Sequence, residues 1–260
     1  MQHQDPIVIV GMARTPMAGF QGDFTALTAS DLGKVAIEDA IKRAGIAAND
    51  VDDVLMGCVL PAGQGQAPAR QASLKAGLPE STGATTINKM CGSGMKALML
   101  GHDAILAGSS AIAVVGGMES MTNAPYLLEK GRAGYRMGHG KVIDHMFMDG
   151  LEDAYERGKL MGVFADDTAR KLQITRQDQD AYALASLTRA QEATKNGSFS
   201  DEIVPVTMKS KDGDTVISED ENPKRARPEK IPQLKPAFSP EGTVTAANAS
   251  SISDGAAALV

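Results

Sequence analysis

Short apolar runs alternating with helix-periodic segments constrain this chain more than any other feature. Residues 7–11 read Ile-Val-Ile-Val-Gly, 54–56 Val-Leu-Met, 84–88 Ala-Thr-Thr-Ile-Asn and 111–115 Ala-Ile-Ala-Val-Val. A strand with one wet face alternates polar and apolar residues, so unbroken runs like Ile7 to Val10 predict strands buried on both faces. Between them lie helices. Ser30 is placed to cap a helix with Leu32, Val35, Ala36, Ala40 and Ile41 at helical spacing, and Gly45 to end it. A short helix is expected over 69–76 and a long one from about Gly92 to Ala107, with Gly108 beyond its end. This order predicts an α/β class: a layered fold with a mixed, mostly parallel sheet.

After residue 121 the texture changes to scattered glycine, charge and methionine, and only one long helix stands out. It starts at Thr175, with Asp178 completing a capping box, and closes at Asn196 and Gly197. The expected organisation is an N-terminal α/β domain over 1–121, an inserted loop domain over 122–243, and a return to the first domain over 244–260. The apolar pattern is still rising at Val260, which leads to the expectation that further sequence belongs beyond it.

Hydrophobic residues at 43% and charged residues at 22% suit a globular chain, while 4% aromatics, no Trp and 14 Met imply a core of small and flexible side chains. A net charge of −6 argues against nucleic acid as a partner. No apolar run approaches the ~18 residues of a membrane span, and no basic stretch leads into a cleavable apolar segment, so a cytoplasmic protein with no membrane partner is expected. The two cysteines, Cys58 and Cys91, have no zinc or disulfide spacing, and no metal site is expected.

The chemistry concentrates in residues 87–98, Ile-Asn-Lys-Met-Cys-Gly-Ser-Gly-Met-Lys-Ala-Leu, which read as strand, sharp turn and helix. Cys91 then sits at a helix start, where free N–H groups and the helix dipole favour a thiolate. Gly92 and Gly94 leave room for a substrate, and the Cys91 N–H is a candidate oxyanion donor. Spacing alone leaves a second possibility open, a buried structural cysteine in a glycine-rich turn.

This stretch, together with residues 116–125 (Gly-Gly-Met-Glu-Ser-Met-Thr-Asn-Ala-Pro) and 242–250 (Gly-Thr-Val-Thr-Ala-Ala-Asn-Ala-Ser), resembles the thiolases, that is the acetyl-CoA acetyltransferases and 3-ketoacyl-CoA thiolases. Residues 13–16 (Ala-Arg-Thr-Pro) and 65–71 (Gly-Gln-Ala-Pro-Ala-Arg-Gln) also look like family segments, and the likeness runs essentially the full length. The resemblance implies an acyltransferase in which Cys91 takes an acyl group from acyl-CoA as a thioester. A second acetyl-CoA then condenses with it, or the reverse thiolysis cleaves a 3-ketoacyl-CoA. Acetyl-CoA and acyl-CoA enter as substrates, no resident cofactor is implied, and a homodimer or homotetramer is expected, with the strand leading into Cys91 as a symmetric contact.

In the family the histidine that activates the nucleophile and a second cysteine lie in a C-terminal domain, in Gly-His-Pro and Cys-x-Gly segments absent here. The chain thus resembles the N-terminal half with its inserted loop domain. His3, His102, His139 and His145 match none of the family's catalytic positions and are read as surface or loop residues; Cys58 is read as a plain strand-end residue. For coenzyme A, the resemblance places Ser250 against the pantetheine arm and Leu151, Met161, Phe238 and Ala246 along its tunnel. Leu160 stands where biosynthetic relatives commonly carry His. In the basic cluster Lys224, Arg225, Arg227 and Lys230, Lys224 aligns best with a residue near the adenine and 3′-phosphate; a solvated loop is the other reading. Met95, Met118, Met121, Met146 and Met161 either border the acyl pocket or fill packing gaps.

Two alternatives stay beside the thiolase reading. One is a catalytically silent CoA-binding fragment that lacks the base histidine and second cysteine. The other is a ketoacyl synthase of the related condensing class, which the long insertion disfavours.

Overall fold

The computed structural model describes residues 6–209 and 213–260; His3 lies outside the described residues. In chain order the first half contains β1 (Met12–Arg14), β2 (Ala18–Gly19), α1 (Ala29–Ala44), β3 (Asp53–Gly57), α2 (Pro68–Lys75), β4 (Gly83–Ile87), α3 (Ser93–Leu106) and β5 (Ala113–Ser120). Two small hairpins follow, β6 (Tyr126–Leu127) with β7 (Ile143–Asp144) and β8 (Val206–Met208) with β9 (Thr215–Ile217). The same region carries α4 (Met161–Lys171), α5 (Arg176–Asn196) and α6 (Glu221–Arg225), and β10 (Ser253–Leu259) closes the chain.

The main sheet runs in the order β1-β10-β5-β3-β4, with β2 also on β10. The fold is α/β and the sheet is mixed. Parallel pairing is confined to β3 with its neighbours β4 and β5, while β10 is antiparallel to β1, β2 and β5. The parallel character expected from the sequence thus holds for the strands between 53 and 120. The return strand adds the antiparallel pairs, which no local pattern reports.

Leu32, Ala36, Ile37 and Ala40 of α1 are fully buried in one cluster with Val54, Met56, Val114, Ala256 and residues of α2. Ala97 of α3 packs on the other face against Leu55, Ala113 and Val115. Each large side chain buried this way contributes about 1.5–3 kcal/mol of hydrophobic stabilisation. Gly101 allows α3 to lie close, since a Cβ there would meet Val115 at 2.5 Å. Close approach continues in the sheet, where a Cβ on Gly116 would lie 2.0 Å from the Ala257 carbonyl oxygen of β10.

Local expectations are corrected in three places. The strand foreseen at 7–11 begins only at Met12: Val10 N–H bonds the Val260 carbonyl, but Val8, Ile9 and Val10 stay more than half exposed because no described element covers them. Thr28, not Ser30, caps α1; its side chain accepts from Asp31 N–H while Asp31 accepts from Thr28, and Gly45 ends the helix at φ 69°. β5 runs on to Ser120 through Gly116 and Gly117, past the expected 111–115.

The later segments are tied back to the first sheet by charged side chains, partly or fully buried. Arg14 donates to both carboxylate oxygens of Asp220, at 2.7 and 3.0 Å, and to Glu202 at 2.7 Å. Glu221, 3% exposed, accepts from the backbone N–H groups of Gly19 and Asp23. Among the described residues no helix is long and apolar enough to cross a membrane, and no group of three or more His, Cys, Asp or Glu is placed to hold a metal ion.

Candidate active site

Cys91 is exposed and stands immediately before Gly92, the N-cap of α3. Side chains rather than regular ladder bonds hold the turn that presents it. Asn88 Oδ1 accepts from Met90 N–H at 2.9 Å, and Met90 adopts φ 49°, a left-handed conformation that a non-glycine residue keeps only when its surroundings enforce it. Ser93 Oγ accepts from Lys89 N–H at 2.9 Å and donates to the Met90 carbonyl at 2.5 Å, closing the turn onto the helix. Gly92 N–H bonds Lys89 O and Ser93 N–H bonds Met90 O, which leaves the Cys91 N–H outside these bonds. Beneath the turn, glycines at the end of β3 and within β5 let the start of α3 settle on the sheet. A Cβ on Gly57 would come 2.6 Å from the Ser93 Cβ, and one on Gly117 would come 3.5 Å from the Gly94 Cα.

The two cysteines have opposite environments. Cys58 is buried just past β3; burial, with the Glu119 carboxylate beside it, pushes its thiol up to about 12. An inert thiol results, in keeping with a strand-end role. Glu119 accepts from the backbone N–H groups of Val59 and Leu60 and from the Cys58 thiol, and burial raises its carboxyl above the usual range. His145, expected at the surface, is 5% exposed, with Nδ1 2.6 Å from Asp149 Oδ2. Of the histidines among the described residues, His102 and His145 are bonded to Asp103 and Asp149, and no histidine bonds Cys91.

A cleft of about 760 Å³ opens along α5. One wall is α5 itself, with Ser186 and Leu187; a second is the segment carrying Arg227, Lys230 and Leu234; the third is the loop at 246–251. Ala246 and Ser250 line it. Lys224 does not: it is exposed, with its ammonium 3.8 Å from Glu219. Arg225, Arg227 and Lys230 line the cleft instead. Arg225 pairs with Glu221 and lies 3.7 Å from Asp23, whereas Arg227 and Lys230 make no ion pair among the described residues.

Leu151, Met161 and Phe238 gather outside that lining. Glu152 and Leu160 form a β-bridge, which sets Leu151 and Met161 on either side of one loop neck. The Phe238 ring lies over Gly162, where a Cβ would come 2.3 Å from it. Ala237 N–H bonds the Val244 carbonyl and connects this group to the loop of Ala246 and Ser250.

Sequence reasoning missed the groups that shape this loop. Asp166, 3% exposed, accepts from Thr243 and Val244 N–H and from the Ser239 hydroxyl. Asp180 accepts from Asn248 and Arg176. The one available signal was the i,i+4 spacing of Arg176 and Asp180 on a predicted helix, which reads equally well as a solvated pair.

Comparison with known proteins identifies the family. The family model of the thiolase N-terminal domain matches residues 7–260. A probable acetyl-CoA acetyltransferase of Dictyostelium discoideum is 48% identical over 257 residues, covering 98% of this chain and 62% of that protein. The mitochondrial acetyl-CoA acetyltransferase of Homo sapiens is 49% identical over 256 residues, with 98% and 59% covered. The structure of an acetyl-CoA acetyltransferase from Syntrophomonas wolfei matches with a TM-score of 0.93 at 45% identity, covering 97% of this chain and 63% of that one. The Acat5 thiolase of Ascaris suum, solved in complex with coenzyme A, matches with a TM-score of 0.90 at 43% identity, covering 96% and 64%. The chain therefore spans about three fifths of the length of the relatives it matches, and over that length it belongs to the thiolase family.

Proposed function

We propose that this chain is the nucleophile-bearing portion of an acetyl-CoA C-acetyltransferase. The thiolate of Cys91 attacks the carbonyl carbon of an acyl-CoA, the carbon–sulfur bond to coenzyme A breaks, and free coenzyme A leaves with the acyl group held as a thioester on Cys91. A second acetyl-CoA then loses a proton from its α-carbon to the base that the family carries in its C-terminal domain, and that carbon attacks the thioester carbonyl, so that the bond to the Cys91 sulfur breaks, Cys91 leaves as thiolate and a 3-ketoacyl-CoA forms; thiolysis is the same path reversed. The observation that carries this reading is the exposed Cys91 sulfur at the start of α3, on a turn held by Asn88 and Ser93. The unengaged Cys91 N–H is suited to receive the developing oxyanion.

The cleft along α5 takes the nucleotide end of coenzyme A. Arg227 and Lys230 face its phosphates, and Ser250 and Ala246 meet the arm that leaves it. Leu151, Met161 and Phe238 form the apolar part of the route. An oligomer through β4 is supported by that strand's place at the edge of the sheet, where its outer backbone groups are free to pair.

A second reading, that the 260-residue chain binds coenzyme A without turning over, is favoured by one observation: no histidine among the described residues bonds Cys91. One experiment separates the two. The chain is incubated with acetyl-CoA, released coenzyme A is measured, and the Cys91 peptide is examined by mass spectrometry. Acetylation of Cys91 with equivalent release of coenzyme A supports acyl transfer. Binding without acetylation supports the second reading, and neither binding nor acetylation defeats both.

A further inference from the structure

The cleft along α5 has walls that the hydrophobic core does not fix. Neither buried cluster includes a residue of α5, of the 226–234 segment or of the 243–251 loop, and no strand ladder joins the last two. Polar side chains bridge them. Arg176 Nε donates to Asp180 Oδ2 at 2.7 Å, and its Nη2 forks onto the carbonyl oxygens of Ile231 and Leu234 at 3.0 and 2.9 Å. The other Asp180 oxygen accepts from Asn248 Nδ2 at 3.0 Å. Asn248 then holds its own loop, accepting from Thr245 N–H at 2.7 Å and donating to the Thr243 carbonyl at 3.2 Å. One ion pair thus spans from the wall behind Arg227 and Lys230 to the wall that carries Ala246 and Ser250.

We propose that Arg176, with Asp180 and Asn248, is a positioning clamp that sets the width of the cleft and thereby its affinity for the nucleotide end of coenzyme A, without touching the ligand. This rests on the reading of the cleft as the nucleotide site. The Arg176 and Asp180 side chains are 21% and 10% exposed, Arg176 Nε and Nη2 are taken by protein oxygens, and Arg176 is not part of the cleft lining, so it is not a phosphate contact. Only a planar fork reaches three acceptors in these directions; a lysine ammonium keeps the charge but not the geometry. With that fork lost, the carbonyls of Ile231 and Leu234 are released and Arg227 and Lys230 move with them.

The test is calorimetric titration of the 260-residue chain with coenzyme A and, separately, with adenosine 3′,5′-bisphosphate. Arg176→Lys is expected to weaken both by the same factor, about tenfold, the equivalent of one hydrogen bond to a charged group. The rate of Cys91 alkylation by iodoacetamide stays at the wild-type value, which a general loss of structure would change. Asn248→Asp, which sets a second carboxylate against Asp180, weakens binding as well; adding Asp180→Asn removes that repulsion and recovers part of the affinity, even if Arg176→Lys proves unstable. Wild-type affinity in Arg176→Lys, or no recovery in the double variant, overturns the clamp while leaving the cleft as the nucleotide site. Failure of the unmodified chain to bind either compound overturns the nucleotide reading and the clamp with it.

Discussion

Glu119 Oε2 accepts the Val59 N–H at 2.7 Å while its Oε1 accepts the Leu60 N–H at 3.1 Å, so one carboxylate on β5 holds the backbone that leaves β3. The Cys58 thiol completes the contact at 3.4 Å. Burial acts against this charge and raises the Glu119 carboxyl above its usual range, although the two N–H bonds, the thiol and the nearby His145 act in the other direction. A raised carboxyl binds its proton more tightly in the folded state than in the unfolded one. Its contribution is therefore complete below the ordinary carboxylate range and declines as pH rises through the folded value. Glu119→Gln removes that titration. In thermal unfolding across the acid to neutral range, the stability advantage of the wild type over Glu119→Gln is expected to narrow as pH rises. The stabilisation from Asp31, whose carboxyl is lowered by Lys75 and Thr28 against the opposing effect of burial, and from Asp178, lowered by Thr175, is lost on acidification, but equally in both proteins. A difference that stays constant with pH refutes the role given to Glu119.

The contrast between the cysteines is open to direct labelling. At mildly alkaline pH, iodoacetamide is expected to modify Cys91 in the native chain and to spare Cys58, whose thiol stands at about 12. Denaturant exposes both. The Cys91→Ala variant should remain unlabelled until it unfolds, and peptide mass analysis reads each site separately. Equal labelling of Cys58 in the native chain contradicts the buried placement.

Charge in the cleft gives a third outcome. Arg227 and Lys230 line it without carboxylate partners among the described residues, whereas Lys224 lies beside Glu219 outside it. Arg227→Ala and Lys230→Ala are each expected to weaken coenzyme A about three- to tenfold and to flatten the salt dependence of binding, since an unpaired cation facing phosphate is screened by salt. Lys224→Ala should change affinity less than about twofold, as for an exposed pair. Titration at two ionic strengths measures both effects.

The place of Lys224 outside the cleft lining shows where sequence stops informing. Four basic residues within one proline-marked loop announce a patch, but which of them faces a cleft depends on how the loop docks, and that is fixed by Arg14 reaching Asp220 and by Glu221 holding Gly19 and Asp23. No local pattern contains contacts between partners so far apart in the chain. Where the determinants are local, the sequence was explicit. The capping box of Thr175 and Asp178 and the left-handed Gly197 bound α5 as expected, and Cys91 lies on the predicted turn. The cap of α1 was misassigned although Thr28 and Asp31 spell the same box, because Ser30 is an equally good hydroxyl two residues on. Val8, Ile9 and Val10 carry the composition of a buried strand and remain exposed, since burial needs a partner surface that composition does not supply. His145 went inside for the opposite reason: its ring meets Asp149 one helical turn away, and the 145–151 segment packs down on Leu60.

Gly57 offers the sharpest probe of the link between the sheet and the nucleophile. A methyl group at this position would stand 2.6 Å from the Ser93 Cβ, 2.8 Å from the Ser93 carbonyl carbon and 2.9 Å from the Gly94 nitrogen, all belonging to the first turn of α3. No flexible side-chain end is available to swing aside, so the helix start must lift off β3, at an overpacking cost of about 1–3 kcal/mol. Ser93 also holds the turn through Lys89 N–H and Met90 O, so the displacement passes directly to Cys91. Gly57→Ala is expected to lower the melting temperature and to slow Cys91 alkylation. Gly77→Ala is the control: at φ 84°, with nothing within 4 Å of an added Cβ, it strains the backbone by about 1–2 kcal/mol without a clash and should leave Cys91 untouched. If both variants lose stability but alkylate at the wild-type rate, the start of α3 is not what presents the sulfur.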